Sequence, residues 1–333
     1  MLRFLKLLLA LAFAAVPAAG GYFAWYVTTP VAVRKLPTEF ELRPGDGFRA
    51  AALRIEEAGI AIRRIEFELL ARTLGRAQDI KAGSYELAAA PTPLELLEKL
   101  SRGDVTQSEI KFIEGWTFRQ LRAALDAHGF LRHDTRGLAD ADVLARLGAG
   151  EAHAEGLFFP DTYLFAKGSS DVRVLKRAYQ AMRRHLAREW QARDPQSPYR
   201  TPYEALIMAS IVEKETGRAD ERDRIGAVLA NRLRAGMLLQ ADPTVIYGLG
   251  EKFDGNLKKI HLQTDGPYNT YTRAGLPPTP IAASGLASLR ATLQPAKTDA
   301  LYYVARGDGT SQFSRTLEEH NRAVRKYQLH GAR

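Results

Sequence analysis

The sequence predicts an α+β protein in three parts, and three patterns along the chain support this prediction. Residues 7–27 form an uncharged apolar run with the length of a membrane helix. Residues 36–105 carry strand, helix, helix and strand patterns in succession, which is typical of a small α+β module. Residues 106–333 combine amphipathic helical patterns with short strands and irregular loops. We therefore expect an N-terminal transmembrane helix, a small module and a larger mixed α/β domain.

The apolar run is long enough to cross a bilayer, because about 21 residues in a helix span roughly 30 Å. Arg3 and Lys6 precede the run, and basic flanking residues place the segment 1–6 in the cytoplasm and the rest of the chain outside it. Small residues near Ala18 leave a cleaved signal peptide open. The aromatic cluster at 22–26 is typical of a membrane interface and favours an anchor. A soluble protein with an unusually apolar first helix is the third alternative.

The chain has 333 residues, a formal net charge of +9 and no cysteine. A basic balance suits an anionic partner such as a membrane surface, nucleic acid or an anionic polymer, and a background of solvated arginines explains it equally well. Export argues against nucleic acid. Without cysteine there are no disulfides and no thiolate nucleophiles or zinc ligands. Because the seven histidines show no metal-ligand spacing, we expect no metal and no cofactor.

The module over residues 36–105 contains its own helix signals. The second predicted helix, RIEFELLARTLG, ends at Gly75, as a helix with a glycine cap does. The last predicted helix starts at Thr92, with Glu95 three residues later, which is the signature of a capping box. The order of strands and helices resembles that of LysM-like modules, which bind cell-wall sugars.

One helix in the larger domain carries the strongest chemical signal. In ALIMASIVEKETG, Leu206, Ser210 and Glu213 fall on one face, whereas Glu215 points to a different face. A carboxylate at the end of an apolar stripe is partly desolvated, which disfavours its charged form. Such a group can hold a proton near neutral pH and give it to a leaving group. The alternative is a frayed, charged helix end that Gly217 terminates.

An irregular loop, DGPYNTYTRAGLPPTPIAASG, follows later in the chain and combines aromatic, amide and proline residues. Flat rings and hydrogen-bonding side chains on a rigid loop are what a sugar ligand needs. Loops rich in proline are common without any such role, so the composition of this loop is a weak signal.

Five blocks of the sequence resemble one known family, the MltG (YceG-like) endolytic murein transglycosylases. In chain order they are EGLFFPDTY, ASIVEKE, ERDRIGAVLANRLRAGMLLQADPTVIYG, YNTY with GLPPTPIA, and FSRTLEEHN. The resemblance covers nearly everything after residue 30. It implies a membrane-anchored enzyme with a LysM-like subdomain and a catalytic domain. Such an enzyme cleaves the glycan strands of peptidoglycan and leaves a 1,6-anhydro-muramyl end.

The resemblance also implies the catalytic residue, because the family's glutamate corresponds to Glu213. One glutamate suffices when the substrate's own C6 hydroxyl is the nucleophile. The resemblance implies that the enzyme is anchored in the inner membrane through residues 7–27, with its C-terminal domain in the periplasm. Its expected partners are glycan strands and peptidoglycan synthases, and it is expected to limit strand elongation. The groove is expected to be lined by Gln240, Asp242, Thr244, Tyr247, Tyr268, Asn269 and Tyr271, with Glu155 and Tyr163 as further members.

The sequence departs from the family pattern at three places, and it leaves two other functions open. Ala283 and Ser284 replace an Asn-Pro pair, Ser311 replaces a histidine, and Ala241 replaces a threonine. A hydrolase on the same scaffold would need a second carboxylate, such as Glu215, Asp242 or Asp265, to activate water. A non-catalytic wall-binding or scaffolding protein would need neither Glu213 nor a second carboxylate.

Overall fold

The structure, a computed structural model, describes residues 2–43, 45–215 and 217–329. It describes the side chains of these residues except at 2–12, 14, 16 and 329. The chain divides into two units. The first unit comprises Met1–Glu109, Phe130–Arg132 and Leu164–Ser169, and the second comprises the remaining residues. The predicted mixture of helices and strands is confirmed, and the sheets are small, with two strands each.

The first unit contains the helices and strands of the predicted module in the predicted order. Strands β1 and β2 pair antiparallel, with Phe40 opposite Tyr85. The elements are α1 (Leu2–Thr28), β1 (Thr38–Leu42), α2 (Phe48–Glu57), α3 (Arg64–Thr73), β2 (Gly83–Leu87) and α4 (Pro93–Arg102). Phe67, Tyr85 and Leu96 are fully buried in the core between them. The likeness to a LysM module stays a prediction.

Helix α4 shows how local sequence sets an element of this unit. The Thr92 hydroxyl accepts a hydrogen bond from the Glu95 amide at 3.2 Å, and the Glu95 carboxylate accepts one from the Thr92 amide at 2.8 Å. This reciprocal pair is the predicted capping box, and it satisfies two amides that the helix leaves unpaired. Gly103 ends the helix in the left-handed conformation, with φ 70°.

The predicted anchor, residues 7–27, lies within α1, and many of its side chains lie outside the described residues. No helix in the described part of the chain is both long enough and apolar enough to cross a membrane, so the structure does not confirm the anchor. The aromatic residues in the cluster at 22–26 differ in their exposure to solvent. Trp25 is half exposed, whereas Tyr26 is buried and its hydroxyl donates to the carbonyl of Arg63 at 3.3 Å.

The second unit holds most of the remaining elements, while β3 and β4, which pair with each other, contribute residues to both units. Strands β5 and β6 pair antiparallel. The elements are β3 (Gln107–Lys111), α5 (Phe118–Ala127), α6 (Asp140–Leu147), β4 (Thr162–Ala166), α7 (Asp171–Gln191), α8 (Pro202–Glu215), α9 (Ala219–Arg234), α10 (Asp242–Leu249), α11 (Lys259–Gln263), α12 (Leu286–Leu293), β5 (Tyr302–Ala305), β6 (Ser311–Ser314) and α13 (Leu317–Val324). A 3₁₀ turn (Gly250–Lys252) and a π-helical turn (Arg325–Leu329) complete them.

Helix α8 is the central element of the second unit. All eight residues of the range 205–212 are buried, so the helix is enclosed on every side before it reaches its charged end. Helices α9 and α12 pack against it and against each other. At Gly226 of α9, an added Cβ would overlap the carbonyl oxygen of Ala291, so only glycine allows the two helices to approach so closely. This packing fixes the direction in which α8 delivers its last residues.

Candidate active site

Three consecutive side chains at the end of α8 point to three different surroundings. Successive residues of an α-helix are rotated by about 100° from one another. Glu213 therefore reaches the loop before α12, and Glu215 reaches β5. Lys214, between them, lines a cavity. The helix thus distributes the two carboxylates at its C-terminal end to separate sites.

The Glu213 carboxylate is nearly enclosed, with 6% of the side chain exposed. Its Oε2 accepts a hydrogen bond from the backbone N–H of Gly285 at 2.9 Å, and its Oε1 lies 4.0 Å from the guanidinium of Arg222. Gly285 is the residue immediately before α12, so the carboxylate lies at the positive end of that helix. The N–H donor and the guanidinium fix the carboxylate in place and offset the loss of water around it.

A second carboxylate, Glu114, meets the same glycine. An added Cβ at Gly285 would overlap Oε1 of Glu114, so glycine is required for both carboxylates to reach this backbone. Burial raises the pKa of Glu114, the negative charge of Glu213 raises this pKa further, and Arg222 lowers it. We call Glu114 and Glu213 the paired carboxylates. Sequence reasoning did not single out Glu114, because it stands in a short turn between a strand and a helix.

The cavity beside Lys214, which we call the groove, has a volume of about 840 Å³. Its lining includes a carboxyl group, an ammonium group, aromatic rings and a hydroxyl. Tyr247 and Tyr268 lie edge to face with ring centroids 4.9 Å apart. Glu155, Lys214, Tyr247, Tyr268, Thr279 and Ile281 are among the residues that line it. Aromatic faces beside a few fixed polar groups form a surface suited to a sugar ring.

Glu155 is the buried carboxyl group of the groove. It accepts hydrogen bonds from the backbone N–H of Phe118 at 2.9 Å and from the Tyr247 hydroxyl at 3.1 Å. Burial raises its pKa to about 7, and the hydrogen bonds from Phe118 and Tyr247 oppose this rise. Glu155 can therefore be protonated or ionised near neutral pH, which suits it to bind or exchange a proton with a ligand in the groove.

One backbone segment connects the paired carboxylates with the groove. Gly115 N–H donates to the carbonyl of Ala283 at 2.8 Å, and Ala283 N–H donates to the carbonyl of Trp116 at 2.7 Å. Glu114, at one end of the segment, reaches Gly285, and Phe118, at the other end, holds Glu155. Four residues span at most about 14 Å. The Glu213 site and the groove are thus neighbouring parts of one region.

Glu215 lies in a separate, largely buried site. The Tyr303 hydroxyl donates to its Oε2 at 2.8 Å. Burial raises the pKa of Glu215 to about 7, the hydrogen bond from Tyr303 lowers it, and the charge of Asp242 raises it again. The Tyr271 hydroxyl donates to Asp242. Gln240, the only residue other than glycine with positive φ in the described chain, accepts from Arg232 through Oε1 at 3.2 Å.

Three of the predicted groove residues are buried and have structural partners. Thr244 donates to the Ala241 carbonyl and contacts the Thr270 hydroxyl. Tyr163 donates to the Phe159 carbonyl at 2.7 Å. The amide nitrogen of Asn269 donates to three loop carbonyls, those of His261, Leu262 and Thr264. Thus Tyr247, Tyr268 and Glu155 meet at the groove, and the charges of Asp242 and Tyr271 act on or respond to Glu215. Gln240 pairs with Arg232, and Thr244, Tyr163 and Asn269 bind other parts of the fold.

Two of the departures from the family pattern, Ala283 and Ser284, immediately precede Gly285 and the paired carboxylates. Ala283 is buried and pairs through its backbone, so its side chain has no polar role. Ser284 is also buried, and its hydroxyl has no hydrogen-bond partner within the described residues. Ser311 donates its backbone N–H to Glu221 at 2.7 Å. Among the same residues there is no cluster of three or more His, Cys, Asp or Glu side chains that could hold a metal ion.

The fold and the site together define a mixed α/β protein with an enclosed carboxylate next to an aromatic groove, an arrangement suited to acid–base chemistry. The model of the YceG-like family matches residues 40–326, and the chain belongs to that family. The resemblance inferred from the sequence blocks is thereby confirmed.

Relatives of known name support this membership. The Bacillus subtilis protein named endolytic murein transglycosylase is 32% identical over 268 residues, which cover 75% of this chain and 74% of that protein. The Streptococcus pneumoniae protein of the same name is 27% identical over 95% of this chain, which spans 64% of its length. The crystal structure of a yceG-like protein from Listeria monocytogenes is 29% identical, with a TM-score of 0.53 over 85% of this chain and 98% of that one.

Proposed function

We propose that this chain is an endolytic lytic transglycosylase, which cleaves the MurNAc–GlcNAc bond within peptidoglycan strands and forms 1,6-anhydro-MurNAc ends. Enzymes of this class are carbon–oxygen lyases, and the curated relatives bear the name of the class. One structural observation carries the proposal. The end of the buried helix α8 holds Glu213 in a nearly enclosed position, next to a groove with aromatic walls.

The reaction needs one residue that first donates and then accepts a proton. In our proposal Glu213 protonates the glycosidic oxygen, and the bond from C1 of MurNAc to that oxygen breaks. The C6 hydroxyl of the same MurNAc attacks C1 and gives its proton to Glu213. The products are a free hydroxyl on GlcNAc and the anhydro ring, so no water is consumed and the glutamate is regenerated. The Gly285 N–H and the Arg222 guanidinium hold the carboxylate while it is charged.

The groove supplies the contacts that position the strand. Tyr247 and Tyr268 offer ring faces and edges to the sugar, and Lys214 and Glu155 offer hydrogen bonds to its hydroxyl and amide groups. Fixing the sugar next to Glu213 is what allows an intramolecular attack to compete with attack by water.

The surroundings of the three carboxylates that the sequence offers as a hydrolytic base, Glu215, Asp242 and Asp265, favour this chemistry over hydrolysis. A hydrolase needs a base that takes a proton from water. Asp265 is bound by Arg273 through two hydrogen bonds, of 2.9 and 2.8 Å, which lower its pKa and make it a weak base. Asp242 accepts from Tyr271, and Glu215 accepts from Tyr303. Each of these rivals is already occupied by a partner.

Glu213→Gln tests the proposal. Glutamine can still accept from Gly285 N–H but cannot give a proton, so we expect cleavage of purified peptidoglycan to be abolished while the thermal unfolding curve is unchanged. The matched control is Glu204→Gln at the start of the same helix, where the side chain accepts from Arg200 N–H. Mass spectrometry of the wild-type fragments should show anhydro ends, which are lighter by one water than reducing ends. Activity in Glu213→Gln, or reducing ends from the wild type, would contradict the proposal.

We also propose that residues 7–27 anchor the enzyme in the inner membrane, that residues 36–105 contact the wall, and that the enzyme limits nascent strands beside peptidoglycan synthases. The apolar run and the basic residues before it support the location.

Cells with the Glu213→Gln chain should have longer glycan strands than cells with wild type. If deletion of residues 36–105 alters the wall but Glu213→Gln does not, the chain is a scaffold instead.

A further inference from the structure

We propose that Glu114 is a positioning residue for the reaction of Glu213, and that the paired carboxylates share one proton across Gly285. This inference rests on the proposed function of Glu213 and extends it to a residue with no assigned role. It answers a question that the proposed reaction raises, namely how a carboxylate beside a guanidinium retains the proton that it must donate.

The first observation is the meeting of two carboxylates at one glycine. Glu213 accepts from the backbone N–H of Gly285, and Oε1 of Glu114 occupies the place that a Cβ at Gly285 would take. Both oxygens therefore lie against the backbone of a single residue. The negative charge of Glu213 acts on Glu114, so the two carboxylates repel when both are ionised, and one proton held between them relieves the repulsion.

The second observation is the balance of charge around this glycine. With one proton, the paired carboxylates carry one negative charge, which the guanidinium of Arg222 neutralises. Without that proton an excess negative charge stays in a site where the Glu213 side chain is 6% exposed. Lys214 is the other charged group at this segment, with Nζ 3.4 Å from the Gly115 carbonyl oxygen. Lys214 is exposed, so water screens its charge more than that of Arg222.

The third observation is the way Glu114 is held in place. Its backbone precedes the paired strip in which Gly115 and Trp116 exchange hydrogen bonds with Ala283. That strip aligns Glu114 with Gly285, two residues after Ala283. The strip thus brings the second carboxylate to Glu213 from a part of the chain about a hundred residues away.

If Glu114 positions the proton of Glu213, its replacement should change the pH dependence of cleavage as well as the rate. The alkaline limb of the activity profile reports loss of the proton that the acid donates. In Glu114→Gln the repulsion disappears, so the remaining carboxylate beside Arg222 loses its proton at lower pH. We expect the midpoint of the alkaline limb to fall by about one pH unit. Glu114→Asp, which retains the charge, should restore the wild-type profile in part.

Gly285→Ala provides an independent test through the other partner. The backbone of Gly285 has a φ of −75°, which alanine adopts without strain. The new Cβ would displace the Glu114 carboxylate, while the hydrogen bond from the backbone N–H to Glu213 is retained. We expect the same shift of the alkaline limb as in Glu114→Gln. The double variant should show no further shift, because both changes remove one interaction. Glu318→Gln, at an exposed carboxylate on α13, is the matched control and should show no shift.

The decisive experiment titrates the full-length chain by NMR of ¹³C-labelled glutamate carboxyls. Coupled carboxyls lose their protons in two linked steps, and Glu114→Gln should leave one simple step for Glu213. Independent single titrations in the wild type, or an alkaline limb that Glu114→Gln and Gly285→Ala leave unmoved, would overturn the inference. Because this readout does not depend on catalysis, it stays interpretable even if Glu213→Gln proves active and the proposed function fails.

Discussion

Glu213 and Glu215 are two positions apart at the end of one helix, yet their surroundings differ in kind. Glu213 meets a backbone N–H, a guanidinium and a second carboxylate, next to the groove. Glu215 accepts a hydrogen bond from the Tyr303 hydroxyl, and the charges of Asp242 and Arg232 act on it in opposite directions. The two carboxylates thus differ in the groups that hold them. At Glu215 burial outweighs the hydrogen bond from Tyr303 and favours the neutral form, whereas Glu213 has two fixed partners for its charged form, the Gly285 N–H and the Arg222 guanidinium.

The comparison predicts that the two glutamates contribute very differently to the rate. Glu213→Gln should lower the rate of strand cleavage about 10²- to 10⁴-fold, the range over which a general acid contributes. Glu215→Gln should change the rate less than about tenfold, because glutamine resembles the neutral carboxyl that accepts from Tyr303. Initial rates on purified peptidoglycan measure both. If the two variants are equally inactive, then the contrast between the sites does not govern catalysis.

The two sites should also differ in how they link stability to pH. Burial raises the pKa of Glu215 from 4.5 to about 7, so it destabilises the folded state once it ionises. The contribution of Glu215 to the free energy of unfolding is most favourable below pH 4.5 and is lost as the pH rises through about 7. Above that pH, Glu215→Gln should be more stable than wild type by at most about 3 kcal/mol, and below pH 4.5 the two should match. Urea unfolding at several pH values measures this difference.

Tyr303→Phe is the control for that prediction. It removes the hydroxyl that donates to Glu215, so the pKa of Glu215 should rise further, and the loss of stability should extend to higher pH and become larger in total. A flat difference between Glu215→Gln and wild type from pH 4 to 8 would show that Glu215 does not ionise in the folded chain under these conditions.

Local signals in the sequence predicted local features well. The capping box of Thr92 and Glu95 is present because its two hydrogen bonds need only residues three apart. The stripe that ends at Glu213 predicted the enclosed end of α8 for the same reason, since helix geometry alone determines which side chains share a face. The YceG-like blocks identified the family because they preserve many such local patterns together.

Features that depend on distant contacts escaped prediction. Glu114 reaches Glu213 only because its neighbours pair with the strip at Ala283, and no periodicity in the sequence encodes that pairing. The hydrogen bonds of Asn269 also escaped prediction. Polar residues in an irregular loop suggest ligand contacts, but a loop without regular structure also needs side chains to satisfy its own backbone. Asn269 does this for three carbonyl groups.

The smallest predicted effect compares Glu213 with Glu155, the buried acid of the groove. Glu155 is bound by Phe118 N–H and by Tyr247 and lines the groove, so its contacts to substrate should be similar in the ground state and the transition state. Glu155→Gln should therefore raise KM about tenfold and change kcat little. Glu151→Gln is the matched control, because Glu151 also accepts from a tyrosine, Tyr179, but does not line the groove. If kcat falls about 10²-fold at unchanged KM, Glu155 is the proton donor and the roles of the two glutamates are reversed.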